Sequence, residues 1–117
     1  MARHLKTGAK GEELARQYLA EKGYEILHIN WRCSHKEIDV IARRDDLLIF
    51  VEIKTRTGLD CGFPEESVTP SKQGLLRSAA VSYLEEFPSS LNVRFDVISI
   101  VLDGAGIADL KHFEEAF

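Results

Sequence analysis

The sequence predicts a single α/β domain spanning residues 1–117 with the element order αβββαββ. Three features carry that expectation. The stretch from Ala9 to Lys22 is amphipathic, three strand-like runs follow one another from Tyr24 to Thr55, and a helix opening at Pro70 leads into a buried strand at 94–102. With 117 residues and 44% hydrophobic content, the chain can bury roughly two thirds of its unfolded surface, enough for one core.

Leu14, Ala15, Tyr18 and Leu19 recur at helical spacing, and Gly23 stands where a helix would stop. YEILHINWR, residues 24–32, alternates and is rich in strand formers, and 37–44 and 47–55 read as the next two strands of an antiparallel meander. From Thr57 to Glu66 the glycines and Pro64 mark a loop. Thr69 can then cap a helix whose first residue is Pro70 and which runs to about Phe87. RFDVISIVL returns as a buried strand, and Asp103 to Gly106 turns the chain into a short last strand ending near Phe113.

The longest apolar run, Leu47 to Val51, is far shorter than the ~20 residues of a bilayer crossing, and MARHLKTGAK carries no apolar segment of a secretory signal. A cytoplasmic protein with no membrane partner is expected. Cys33 and Cys61 then remain reduced thiols, and with His35 they form no familiar zinc spacing. The net charge of −4 argues at first against a nucleic-acid partner. Its distribution is uneven: residues 1–77 hold 13 basic against 12 acidic side chains, whereas residues 78–117 hold 2 against 7. A cation bound to N-terminal carboxylates would make the larger region more positive still, so an anionic substrate stays compatible.

The stretch EIDVIARRDDLLIFVEIK, residues 37–54, poses the functional question. A turn centred on Asp45-Asp46 places Asp39 opposite Glu52 and Glu37 opposite Lys54. Alternation gives one face of Ile38, Val40, Ala42, Leu47, Ile49, Val51 and Ile53, and another of Glu37, Asp39, Ile41, Phe50, Glu52 and Lys54. Two carboxylates across a strand pair beside Phe50 repel one another and call for a compensating partner. A divalent cation held by hard oxygen ligands would serve, with Lys54 on the same face, and that combination suits phosphodiester hydrolysis. The plainer alternative is that this is the solvated side of a meander. The bare pattern D-x12-[DE]-x-K recurs as Asp96, Asp109 and Lys111, but there the turn pairs Asp96 with Phe113 and Asp109 with Ile100, so the second match fails.

GAKGEELARQYLAEKGYEIL, NWR, EIDVIA, FVEIKTRTG, SVTPSKQ, RFDVISI and HFEEAF, in this order and spacing, resemble the bacterial YraN family within the PD-(D/E)XK nuclease superfamily. The resemblance spans nearly the whole chain. It implies a restriction endonuclease-like three-layer core, a mixed central sheet flanked by helices, with Asp39, Glu52 and Lys54 in the catalytic positions. It also implies that Glu12 joins Asp39 and Glu52 at a Mg²⁺ or Mn²⁺ site, as in resolvase-like members, and that Gln73 is a polar residue near it. Glu12 also suits a helix-start carboxylate, and Gln73 a solvated helix residue. Two departures are Lys36 where the family usually has Gly and Ile38 where the superfamily has Pro.

The function so implied is a metal-dependent endonuclease acting on DNA, including branched or damaged forms. The alternative is a catalytically silent nuclease-fold module that binds nucleic acid or protein, and a homodimer is compatible with either. Arg56, Lys36, Lys72 and Gln73 are the nucleic-acid candidates. Arg3, Lys6, Lys10 and Arg32 are further phosphate candidates, and Trp31 a base or sugar contact, though a strand Trp is more often core. No base-reading motif is visible, which fits structure-selective binding.

Overall fold

The computed structural model describes the backbone of residues 2–57, 68–104 and 106–117, and side chains from residue 8 onward within them except that of Ala108. Most of the expected loop, with Cys61, and the side chains of Arg3 and Lys6 lie outside the described residues. The elements are α1 (Ala2–Glu21), β1 (Glu25–Cys33), β2 (Lys36–Arg44), β3 (Leu47–Thr57), α2 (Pro70–Glu86), β4 (Asn92–Asp103) and β5 (Gly106–Phe113). The order αβββαββ is the expected one. α1 starts well before Ala9: residues 2–8 lack the apolar periodicity that signals a helix in sequence, but they contain no proline to break one. It closes through paired bonds, Tyr24 N–H to Leu19 O at 3.0 Å and Gly23 N–H to Ala20 O at 3.1 Å, with Gly23 at φ 90°.

Five strands form one sheet in the order β1-β2-β3-β4-β5. β3 and β4 run parallel, joined by the crossover through α2, and the other pairs are antiparallel, so the sheet is mixed. Ala15 and Leu19 of α1 pack on Val40, Ala42, Ile49, Val51, Ile98 and Ile100. Ala79, Ala80 and Tyr83 of α2 pack on Ile41, Leu48 and Phe50. Alternate strand residues serve the two helices, which gives a helix–sheet–helix sandwich. Thr69 caps α2 as expected, its hydroxyl accepting the Lys72 N–H at 3.2 Å ahead of Pro70.

Two registers depart from expectation. The β2–β3 ladder follows the Asp45-Asp46 turn from Arg44↔Leu47 to Val40↔Val51 and ends there, so Asp39 and Glu52 are not a ladder pair. The β4–β5 ladder begins as expected at Asp103↔Gly106 and Leu102↔Ile107, then shifts by one at Val101↔Asp109 because Ala108 is an extra residue on β5. Val97, not Asp96, therefore faces Phe113, and Val101, not Ile100, faces Asp109.

Candidate active site

The site begins where β2 and β3 part. Asn30, in the middle of β1, has φ 48°, a left-handed conformation that Asn tolerates and β-branched residues do not. It lies between the pairs Ile29↔Val40 and Trp31↔Ile38, and so opposite Asp39. Alternation breaks at this point: Val40 packs under α1, whereas Ile38, expected on the same face, joins Trp31 and Tyr83 under α2. The Asp39 carboxylate is thereby set between the diverging strands, where its Oδ2 accepts the Ile53 N–H at 2.8 Å. A side chain thus satisfies a backbone donor at the parting of the ladder.

Glu52 is 7% exposed, and its carboxyl group shares a hydrogen bond with that of Asp39. Burial, then the Asp39 charge, push Glu52 up to about 7, against the opposing pull of Lys72 and Lys54. Burial also raises Asp39, although the Ile53 amide and the Glu52 hydrogen bond both favour its ionised form. The two acids thus repel one another in a poorly solvated place, and a cation between them would relieve that repulsion.

Glu12 approaches from the other side. It is half-buried on α1 and raised by burial first and the Asp39 charge second, with Glu37 adding to the rise and Arg16 opposing it. Gly11 makes the approach possible: a Cβ there would overlap Thr55 Oγ1 and lie 2.7 Å from Thr55 Cβ. Only a glycine lets this turn of α1 close on β3.

The basic candidates divide. Half-buried Lys54 sits two residues beyond Glu52, and Arg56 follows it on β3. Lys72, in the first turn of α2, reaches Glu52 with Nζ 3.7 Å from Oε2. Lys36 donates instead to Ser78 Oγ at 2.9 Å and Ser82 Oγ at 3.3 Å, tying β2 to α2. Gln73 turns back to the start of its own helix, donating to the Val68 carbonyl at 3.2 Å. Arg32 lies 3.6 Å from Glu37, and Lys10 is exposed. Trp31 stacks edge-on against Tyr83 with ring centroids 5.4 Å apart, the core position rather than a base contact.

Comparison with known proteins joins this geometry to a lineage. The model of Uncharacterised protein family UPF0102 matches residues 11–100. The chain belongs to the UPF0102, or YraN, family. A UPF0102 protein of Rhodococcus opacus is 46% identical over 118 residues, covering all of both chains. Another, of Phocaeicola vulgatus, is 42% identical over 117 residues, covering all of this chain and 96% of the relative. A third, of Syntrophomonas wolfei, is 44% identical over 94% of this chain and 96% of its own.

Two clusters of charge stand out in this UPF0102 chain. At the first, no three His, Cys, Asp or Glu side chains among the described residues stand together as a ready metal cage. The donor chemistry nonetheless fits a hard divalent ion, since the half-buried Asp39 and buried Glu52 carboxylates stand together and Glu12 lies within electrostatic reach. The second cluster was not foreseen as a unit. Asp96, fully buried, accepts from Arg94 Nε and NH2 at 2.8 Å each, from the Glu115 N–H at 3.1 Å, and bonds His112 Nε2 at 2.7 Å. His112 Nδ1 meets the Tyr18 hydroxyl at 2.9 Å, so the network ties α1 to β4 and β5. Burial alone would raise Asp96, but its bonds to His112, Arg94 and the Glu115 amide hold it below its ordinary value. The one-residue shift in β5 makes this network, and nothing in the spacing announced it.

Proposed function

We propose that this protein is a divalent-metal-dependent endonuclease that hydrolyses DNA phosphodiester bonds with selectivity for structure, such as branched or damaged forms, over sequence. The observation that carries the reading is the pairing of half-buried Asp39 with buried Glu52 at the parting of β2 and β3, flanked by the ammonium groups of Lys54 and Lys72. A buried pair of repelling acids weakens the fold unless it serves a ligand, and perturbed acids beside cations are a mark of functional sites.

Asp39, Glu52 and Glu12 would hold Mg²⁺ or Mn²⁺. A divalent ion there would supply Lewis-acid polarisation of the phosphate and a more acidic water. The chain's own groups do the rest. Lys54, projecting from the strand of Glu52, places positive charge where the attacking oxygen and the pentavalent phosphorus gather negative charge. Arg56, farther along β3, is the first candidate for an adjacent phosphate, and each such contact adds affinity without reading sequence.

A second reading is favoured by the net charge of −4 and by the lack of a ready three-ligand cage among the described residues. It is a silent nuclease-fold module that binds nucleic acid or protein. Labelled linear, flapped and four-way DNA incubated with Mn²⁺ or with chelator, alongside Glu52→Ala, separates the two. Metal-dependent cutting by the wild type alone supports the nuclease. Failure to cut any substrate supports the module, and equal cutting by the variant exposes a contaminant.

A further inference from the structure

We propose that Lys72 is a built-in counter-cation of the metal-free site, displaced when a divalent ion enters and thereby released to bind a substrate phosphate. The inference rests on the metal-site reading of Asp39 and Glu52 and adds a coupling between ion loading and DNA binding.

Lys72 stands in a place that the physics of its own helix disfavours. The first turn of α2 carries the positive end of the helix dipole, and a lysine there is repelled rather than stabilised. No acidic residue lies in that turn to compensate. The compensation comes from β3, where the Glu52 side chain is 8% exposed and has Oε2 3.7 Å from Lys72 Nζ. Lys36, which reaches α2 from β2, is already held by Ser78 and Ser82.

An ion entering between Asp39 and Glu52 would bring two positive charges beside that ammonium, and the attraction holding Lys72 would turn to repulsion. The lysine can leave, because its side chain is 38% exposed and its four-carbon stem is flexible. Its anchoring turn is fixed by the Thr69 cap, so the freed ammonium stays at the mouth of the site. A phosphodiester drawn to the ion is the anion within its reach. Without the ion, Lys72 is committed to Glu52 and offers DNA little.

The test uses the full chain and the variants Lys72→Met and Lys72→Arg. Mn²⁺ is titrated against melting temperature, and binding of a labelled four-way DNA junction is measured in Ca²⁺ and in chelator. In Lys72→Met the competing cation is gone, so the Mn²⁺ concentration for half the melting shift should fall about fivefold. The ion should also strengthen DNA binding by a smaller factor than in wild type. Lys72→Arg, which keeps the charge, should restore both. An unchanged or higher Mn²⁺ midpoint in Lys72→Met, with the wild-type shift intact, overturns this role and leaves the metal site standing. If the wild type shows no shift with Mn²⁺, the metal site falls and this inference with it.

Discussion

Glu52 shows how one side chain links stability to function. Its value in the folded protein, about 7, lies above its ordinary 4.5, so between those values the native state binds more proton than the unfolded one. Stability from this group therefore falls as pH rises from about 4.5 to about 7 and levels off beyond. Glu52→Gln removes the charge and keeps the shape, so metal-free melting temperatures measured from pH 5 to 8 should fall less steeply in the variant and be higher than wild type at pH 8. A lower variant melting temperature at pH 8 would mean that the ionised pair is structural. Asp96 has the opposite sign: held below its ordinary value, it stabilises above that value, and the benefit is lost only as pH falls through the lower folded one. Asp96→Ala removes the buried acceptor shared by Arg94, His112 and the Glu115 amide, leaving Arg94 its contacts with exposed Glu114 and with the Tyr24 hydroxyl. Urea unfolding should show a loss of about 3–5 kcal/mol with the Mn²⁺ response retained. The spacing of the motif and the family resemblance made Asp39, Glu52, Lys54 and Glu12 legible. The Glu52 contact of Lys72 was not, because it depends on where α2 docks.

Among the elements, the hairpin was legible from its turn outward and failed at its functional end. Asp45-Asp46 set the register of β2 and β3 as far as Val40↔Val51, where the parting opposite Asn30 overrode simple alternation. An asparagine inside a run of strand formers was the only local sign, since Asn is depleted in strands. Asn30→Gly should hold stability within a few tenths of a kcal/mol, whereas Asn30→Val, a β-branched residue at positive φ, should cost about 1–3 kcal/mol and weaken the Mn²⁺ response by moving Asp39. Thermal melts of both variants with and without Mn²⁺ check this, and equal behaviour of the two would show that the conformation of Asn30 does not position Asp39. Gly11 is the matching device in α1. Gly11→Ala, which would usually strengthen a helix, should here cost about 1–3 kcal/mol by forcing α1 off Thr55 and carrying Glu12 from Asp39. An unchanged or raised unfolding free energy would show that the helix slides without consequence.

For the whole molecule, the order αβββαββ was readable in advance and the family resemblance implied a mixed sheet, whereas the parallel pairing of β3 with β4 is supplied by the structure, in which the crossover through α2 joins them. The Asp96 network was not, since a one-residue bulge in β5 decides which side chains meet, and hydrophobic patterning in so short a strand does not encode it. The molecule balances a stabilising charge cluster, built on Asp96, against a destabilising one, built on Asp39 and Glu52. On the proposed function, the second cluster is kept for a divalent cation. A ligand binding only the folded state at a hundredfold excess over its Kd adds about 2.7 kcal/mol. The most direct measurement is therefore the melting temperature of the wild type and of Asp39→Asn with millimolar Mn²⁺ and with chelator. Mn²⁺ should raise the wild type by on the order of 10 °C and leave Asp39→Asn unmoved. A wild type indifferent to Mn²⁺, with Asp39→Asn melting lower than wild type in chelator, would rule out a cation site there and make the pair a structural hydrogen bond.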